Sequence, residues 1–300
     1  MFKFEQKEVL LGFFFAFLGT ALFALKSIFI KLIYQQGLNA DTVLMLRMAI
    51  SLPIYLLIIG FLSQKNIPKT DIKNNFSMIL LLGFIGYALA SWLDLKGLEN
   101  ISASLERLTL FTYPIFVVIL GALFFNTPLT KKIISSLLLS YLGLWIVFSQ
   151  ELNTHIGDTT TGVLFVLLSA LSFACYVLLS KKIIHLLGGL WFTALAMSVS
   201  SVFVLSYYFL VFDFNVLDVS NIAWFWIVML AVISTVIPSF MISEAIPKIG
   251  SAQTGIIGTL GPIITIALGV WVLDEFFNIY YGAGIIFIIT GVALLTIKKP

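Results

Sequence analysis

The chain has 300 residues, of which 60% are hydrophobic and only 10% are charged. Soluble domains carry about 25% charged residues, so this composition excludes an ordinary soluble domain and indicates an integral membrane protein. The formal charge of +3 is small and the basic residues are dispersed, which argues against a nucleic-acid partner. A single cysteine, Cys175, and two distant histidines exclude a disulfide framework and a zinc cage, so we expect no metal and no cofactor.

Ten apolar stretches of the chain are long enough to cross a bilayer as a helix, which takes about 20 residues. In chain order they are Leu10–Ile33, Thr42–Leu62, Phe76–Leu95, Ser102–Phe125, Ile133–Ser149, Gly162–Ile184, Leu190–Val211, Asn221–Ile246, Ser251–Val272 and Tyr280–Ile297. The first stretch is not a signal peptide, because Lys26 and Lys31 stand where a cleavage site would be expected. Transmembrane barrels have strands of about ten residues that alternate in polarity, and these stretches are continuous. We predict an all-α integral membrane protein with helices one to ten.

The charges in the loops predict how these helices are oriented. With the N-terminus in the cytoplasm, twelve of the seventeen basic residues lie on the cytoplasmic side. They are Lys3, Lys7, Lys65, Lys69, Lys73, Lys131, Lys132, Lys181, Lys182, Lys248, Lys298 and Lys299. The opposite loops hold Lys96 with the acids Asp41, Glu99, Glu151, Asp158, Asp213, Asp218, Asp274 and Glu275. Because Lys and Arg collect in cytoplasmic loops, both termini are predicted to be cytoplasmic.

The second half of the chain weakly repeats the first. Residues 11–34 match residues 161–184 at a shift of 150, and a shift of 148 aligns helices four and five with nine and ten. The coinciding pairs include Gly12/Gly162, Phe23/Phe173, Lys31/Lys181, Ile101/Ile249, Pro114/Pro262, Gly121/Gly269 and Gly143/Gly291. The repeats are therefore predicted as residues 1–150 and 151–300, and a five-helix unit makes the second copy inverted. Inverted halves can alternate access to a site between them, although such duplication can also simply build a stable bundle.

Three stretches carry a resemblance to a known family. They are "LMLRMAI" in helix two, "ISASLERLTLFTYPIFVVILGALFF" in helix four and "GSAQTGIIGTLGPIITIALGVWVLDE" in helix nine. With the two sets of five helices, they resemble the EamA-type family of the drug/metabolite transporter superfamily. The resemblance implies transport of a small metabolite through a cavity lined by helices one, three, four, six, eight and nine. One departure is that Glu275, after helix nine, has Thr127 as its counterpart after helix four.

Charged residues inside the predicted helices are the first candidates for function, because each costs about 2.5–3.5 kcal/mol to insert. Lys26 and Glu106 lie at similar depths in helices one and four, and Asp94 marks the end of helix three. A neighbouring cation and carboxylate would suit a zwitterionic solute such as an amino acid. Alternatively, Lys26 and Glu106 form a salt bridge that closes an outer gate, with the solute bound elsewhere. Glu106 is also our candidate for proton coupling.

Four helices each carry polar residues along a single face. The stripes are Tyr87, Ser91 and Asp94; Ser102, Glu106, Thr109 and Tyr113; Ser169, Ser172, Tyr176 and Ser180; and Thr235, Ser239 and Ser243. Their helical spacing predicts that they converge on a solvated cavity. The alternative is that the hydroxyls hold helices together through hydrogen bonds. Trp92, beside the stripe of helix three, is a candidate for stacking on the solute.

Two further groups of residues have structural expectations. Arg47 and Arg107 are expected to be mainly structural, and Arg107, one step from Glu106, should face Glu99 or a lipid headgroup. Pro114, Gly258, Gly261 and Pro262 mark helices four and nine as gating elements, since proline permits a kink and glycine permits close packing. Plain close packing between the repeats is the alternative.

The sequence as a whole predicts a secondary transporter of a small amino-acid-like or amphipathic metabolite in a bacterial inner membrane. We expect it to be an exporter and to use protons. The sequence has no nucleotide-binding GxxxxGK[ST] motif, which argues against direct ATP drive, and no cluster of residues typical of a membrane enzyme. A channel remains the second hypothesis. The expected partners are the solute, protons and the lipid bilayer, and both a monomer and a homodimer are compatible with the sequence.

Overall fold

A computed structural model describes residues 2–64, 69–125, 131–154, 158–212 and 219–296. Every regular element in these residues is helical. The helices are α1 (Phe2–Tyr34), α2 (Ala40–Ser63), α3 (Lys69–Asn74), α4 (Phe76–Gly83), α5 (Ala90–Leu98), α6 (Ala103–Leu110), α7 (Tyr113–Phe125), α8 (Lys131–Thr154), α9 (Thr159–Leu187), α10 (Gly189–Val211), α11 (Asn221–Val228), α12 (Ile237–Gly258), α13 (Leu260–Leu273) and α14 (Ile279–Thr296). Two π-helical segments, Phe84–Leu89 and Met229–Val236, link α4 to α5 and α11 to α12.

Eight of the ten predicted spanning helices are long and apolar enough to cross a membrane. At the positions of helices five and ten the described residues form shorter apolar helices, Ile134–Gln150 and Ile279–Val292. The all-helical membrane fold is thus confirmed, while the exact number of spans and the side of the termini stay predictions. Several residues of the charge pattern, namely Lys65, Asp213, Asp218, Lys298 and Lys299, lie outside the described residues, as does Thr127.

The two ends of the bundle are distinguished by the side chains that meet there. Ala40 N donates to Glu99 Oε1 at 2.6 Å and Ala103 N donates to Glu275 Oε1 at 2.6 Å, so alternate loops meet at one end. We call this the acidic end, and the opposite end, where Lys248 pairs with Glu8, the basic end. This gathering of alternate loops follows from helices that run up and down in sequence.

The two halves contact each other in a crosswise manner that matches the sequence repeat. A Cβ on Gly12 would lie 2.7 Å from Ile249 Cγ2, and a Cβ on Gly162 would lie 2.6 Å from Ile101 Cγ2. Gly12 corresponds to Gly162 in the repeat, and Ile101 corresponds to Ile249. The first contact is near the basic end and the second near the acidic end, which is the relationship expected of an inverted repeat.

Helices four and nine are interrupted at corresponding places. Helix four is split into α6 and α7 at Phe111 and Thr112, and Pro114 is the second residue of α7. The backbone of α12 is not helical at Gly250, where helix eight ends. Helix nine consists of the part of α12 after Gly250 and of α13, which are separated at Thr259 shortly before Pro262. A proline is tolerated in the first turn of a helix because its missing N–H would have no partner there. Helix four and helix nine are therefore each divided into two shorter helical segments.

Buried apolar side chains form separate clusters at both ends of the described bundle. One buried cluster at the acidic end joins α1, α2, α5 and α10 through side chains such as Ile30, Leu44 and Leu95. At the basic end, Leu82 and Phe192 belong to a cluster of α4, α9 and α10, while Ala16 belongs to a separate one with α12. A further cluster, with Leu105, Val147 and Tyr281, joins α6, α8 and α14, so the described residues are packed in several separate clusters.

Candidate functional site

A buried ionic cluster joins α1, α5 and α6. Lys26 Nζ pairs with Asp94 Oδ2 and lies 3.7 Å from Glu106 Oε1, and the hydroxyl of Ser27 donates to Glu106 Oε2 at 2.5 Å. Asp94 is 2% exposed and Glu106 is fully buried. We call these four residues the acid–lysine cluster. The predicted proximity of Lys26 and Glu106 is observed, but the direct partner of the lysine is Asp94.

The acid–lysine cluster contains two carboxyl groups for one lysine. Asp94 Oδ1 and Glu106 Oε1 are buried and have no hydrogen-bond donor among the described residues. Buried polar atoms without a partner are costly, so this site is suited to take up a proton or a cationic group.

A second polar network lies at the acidic end, above the cluster. Lys96 Nζ is 2.8 Å from Asp41 Oδ2 and 3.6 Å from Glu99 Oε2. The indole N–H of Trp92 donates to Asp41 Oδ1 at 2.8 Å, so the candidate stacking residue is bound to this network; Ser91, its neighbour, is half-buried. The network joins the first turn of α2 to the end of α5.

The carboxylate of Glu275 caps the first turn of α6. It accepts hydrogen bonds from the backbone N–H of Ala103 at 2.6 Å and of Ser104 at 3.1 Å, and from the Ser104 hydroxyl at 2.5 Å. Gly269 has no side chain, and this leaves space for the carboxylate, since a Cβ there would lie 2.5 Å from Glu275 Oε2. An anion at a helix N-terminus is favourable, so this contact fastens α13 to α6.

The two arginines have different surroundings. Arg47 is 5% exposed, and its Nε donates to Thr235 Oγ1 in the second π segment at 2.9 Å. Arg107 is half-buried and packs against Gly261, where a Cβ would be 3.0 Å from Arg107 Nη2 and 3.6 Å from Thr20 Cγ2. The expectation that Arg107 faces Glu99 is wrong, because Glu99 binds Lys96 and Ala40, and the guanidinium turns toward α13 instead.

Aromatic rings gather below the ionic cluster on α7, α9 and the first π segment. Tyr113 lies edge-on to Phe173, with centroids 5.1 Å apart, and Tyr87 lies edge-on to Tyr176 at 5.1 Å. The two hydroxyls of Tyr87 and Tyr176 are 3.3 Å apart. Gly86, next to Tyr87, has no side chain and the ring of Tyr176 covers it. Three of the four predicted stripes thus contribute rings to one region.

Most hydroxyls of the predicted stripes bind backbone carbonyl groups. Ser172 donates to Ile85 O at 2.6 Å, Thr109 to Leu105 O at 2.7 Å and Ser239 to Val236 O at 2.7 Å. Ile85 and Val236 belong to the two π segments, whose changed hydrogen-bond pattern frees carbonyl groups. Among the described bonds of this kind, only that of Ser172, and that of Ser169 to Ala90 O, join different helices; the Thr109 and Ser239 bonds lie within their own helix, so both interpretations of the stripes stay predictions.

The gating candidates of helix nine differ in their surroundings. No heavy atom of a neighbouring helix lies within 4 Å of where a Cβ on Gly258 would stand. The corresponding space beside Gly261 is occupied by the guanidinium of Arg107. Pro262 is buried beside it. Gly258 therefore has free space beside it, whereas Gly261 and Pro262 are packed.

Comparison with known proteins identifies the chain. The model of the EamA-like transporter family matches residues 10–149 and 160–297. The chain belongs to the EamA-like transporter family. Its multi-pass membrane location and its membership of the drug/metabolite transporters, predicted from the sequence, are thereby confirmed.

Relatives of this EamA-like transporter occur in Bacillus subtilis strain 168. The uncharacterized transporter YcbK is 28% identical over 301 residues, which cover 97% of this chain and 96% of YcbK. The uncharacterized transporter YetK is 22% identical over 260 residues, covering 82% of this chain and 75% of YetK. A solved crystal structure shares the fold with a TM-score of 0.66 at 13% identity, covering 95% of this chain and 96% of that one.

Sequence reasoning on this EamA-like transporter missed three features of the region. The role of Ser27 as donor to Glu106 follows from its place beside Lys26, but a lone serine gives no signal. Glu275 and Ser104 are 171 positions apart in the sequence, so the capping contact between them is visible only in the three-dimensional structure. The π segments have no sequence signature of their own.

Proposed function

We propose that this EamA-like transporter is a secondary transporter that moves a small amino-acid-like or amphipathic metabolite by alternating access. The halves 1–150 and 151–300 would rock against each other around a site near the bilayer midplane. The acid–lysine cluster carries the proposal, because it places two buried carboxyl groups and one lysine where α1, α5 and α6 meet.

The first step of the argument concerns charge. Lys26 neutralises one carboxylate, and the second can be balanced by a proton or by the amine of a solute. Each of these ligands would leave water for a buried site, and each finds a counter-charge there. If a proton and the amine of the solute replace each other at Glu106, proton movement is coupled to solute movement, and a proton gradient can drive export.

The second step concerns conformation. The acidic end is fastened by the Glu275 contact and by the network of Asp41, Lys96 and Glu99. At the basic end, the described contacts between the halves include the pair of Glu8 and Lys248. The larger set of polar contacts at the acidic end supports a state that is closed there. The breaks at Thr112 and Thr259 are the places where helices four and nine would bend.

Solute counterflow in proteoliposomes tests the proposal with labelled amino acids, nucleosides and sugars. We expect saturable exchange of one solute class, and accumulation of it when a pH gradient is imposed. Glu106→Gln should abolish the response to the gradient, whereas the matched control Glu8→Gln, at the basic end, should not. A non-saturable flux without counterflow would favour a channel. Equal behaviour of Glu106→Gln and the unmodified protein would contradict the coupling role.

A further inference from the structure

Arginine is used sparingly in this sequence and only within membrane helices. Arg47 and Arg107 are the two arginines of the chain, and all other basic residues are lysines. Lysine therefore supplies the positive charge of the loops. Inside the bilayer, where charge is costly, the guanidinium adds something that lysine lacks, a planar fork that binds a carboxylate through two parallel hydrogen bonds.

The guanidinium of Arg107 lies between the two halves at mid-depth. Thr20 stands near the middle of α1, and Gly261 stands near the middle of helix nine; both contribute to the surroundings of Arg107. Arg107 and Thr20 belong to the first half and Gly261 to the second. A site between the repeats near the midplane is where an alternating-access carrier is expected to hold its solute.

Arg107 also has unused hydrogen-bonding capacity. Its Nε is buried without a partner, and neither arginine forms an ion pair with a described carboxylate. Lys26, by contrast, is already paired with Asp94. Arg47 also has an unpartnered nitrogen, Nη1, but it is 5% exposed and bound to Thr235, whereas Arg107 is half-buried. A carboxylate entering this region would find its free partner at Arg107 and not at Lys26.

We propose that Arg107 binds a carboxylate group of the transported solute through a bidentate pair. This inference rests on the proposed function and assigns the anionic part of its site. Lys26 is paired with Asp94, so the amine of a solute would balance Glu106 while Arg107 balances the carboxylate of the same solute. A carboxylate solute without an amine would leave a proton on Glu106. Solutes with a carboxylate, with or without a neighbouring amine, are the class selected.

The first test uses phenylglyoxal, which modifies arginine, on the full-length protein in liposomes, with mass spectrometry to locate the product. Because the chain has two arginines, Arg47 is an internal control. We expect Arg107 to react at least tenfold faster than Arg47. Acetate, benzoate, leucine and phenylalanine are added as protecting carboxylates, and acetamide, benzamide, leucinamide and phenylalaninamide as matched amides. Protection of Arg107 by at least one carboxylate and not by its amide supports the proposal. An unreactive Arg107, or no protection by any carboxylate, overturns it.

The second test separates this proposal from the proposed function. Arg107→Gln removes the charge, and Arg107→Lys keeps the charge without the fork; Lys7→Gln at the basic end is the matched control. We expect Arg107→Gln to weaken solute binding at least tenfold, Arg107→Lys to weaken it less, and Lys7→Gln to leave it unchanged. Size-exclusion elution of each variant shows whether it is folded. Exchange that treats a carboxylate and its amide alike would overturn the role of Arg107 and leave the carrier intact. Carboxylate protection without any exchange would instead overturn the proposed function.

Discussion

The carboxylate of Glu275 accepts a hydrogen bond from the hydroxyl of Ser104 at 2.5 Å, and so joins the second half of the transporter to the first. The same carboxylate binds two backbone N–H groups at the start of α6, which have no partner within the helix itself. Opening of the acidic end would separate α6 from α13 and expose these groups. The contact therefore favours the closed acidic end over an open one.

Glu275→Gln should shift the protein toward a form that is open at the acidic end. Loss of a charged cap costs about 1 kcal/mol, so we expect about a fivefold increase in the open population. A reporter cysteine at Ile266, buried on α13, measures opening by its rate of reaction with an impermeant maleimide in a Cys175→Ser background. The control is Asp274→Asn at the neighbouring exposed position, where asparagine fits the left-handed backbone. Equal rates in the two variants would contradict this role of Glu275.

Removing Lys26 should destabilise the protein through Asp94. Breaking a buried ion pair on one side costs about 3–5 kcal/mol because the remaining charge loses its partner. We expect Lys26→Met to unfold at a lower temperature in detergent, and the double variant Lys26→Met/Asp94→Asn to recover much of the loss. Solute counterflow should stay impaired in both. A double variant no more stable than the single one would show that the pair does not carry this energy.

The acid–lysine cluster could be predicted from the sequence only in part. Helical periodicity and hydropathy placed Lys26 and Glu106 at one depth, and this depth is what the fold preserves. Asp94 is the closer partner of Lys26 because of how α1 and α5 approach each other, and the periodicity of a single helix does not give distances between helices.

The capping of α6 and the turn of Arg107 toward Gly261 could not be predicted for a different reason. Both depend on how the two halves dock, and a weak repeat gives the symmetry of the docking without the distances. The sequence indicates Glu275 as an acid in a loop and as a departure from the repeat, where Thr127 is its counterpart, but neither observation predicts a helix cap. The space at Gly269 and Gly261 that admits these side chains is visible only in the packed structure.

The contact between α8 and α14 depends on small residues. A Cβ on Gly143 would lie 2.5 Å from the backbone oxygen of Gly284, which cannot move aside without shifting α14. Gly143→Ala should therefore lower the free energy of unfolding by about 1–3 kcal/mol. Gly282→Ala on α14 is the control, because the nearest atom is 3.8 Å away. Thermal unfolding in detergent compares the two, and equal midpoints would mean that the helices are not held at this distance.

Gly261→Ala tests whether the position of Arg107 matters for transport. The new Cβ would stand 3.0 Å from Arg107 Nη2, so the flexible side chain would have to move by a few tenths of an ångström, and the fold should be kept. Misplacing a binding group costs activity even when the shift is small, and we expect exchange of the solute to fall several-fold with little change in thermal stability. Gly60→Ala on α2 is the control, since nothing lies within 4 Å of its Cβ position and a helical alanine is favourable. If Gly261→Ala exchanges solute as fast as Gly60→Ala, the guanidinium does not need the place that Gly261 leaves for it.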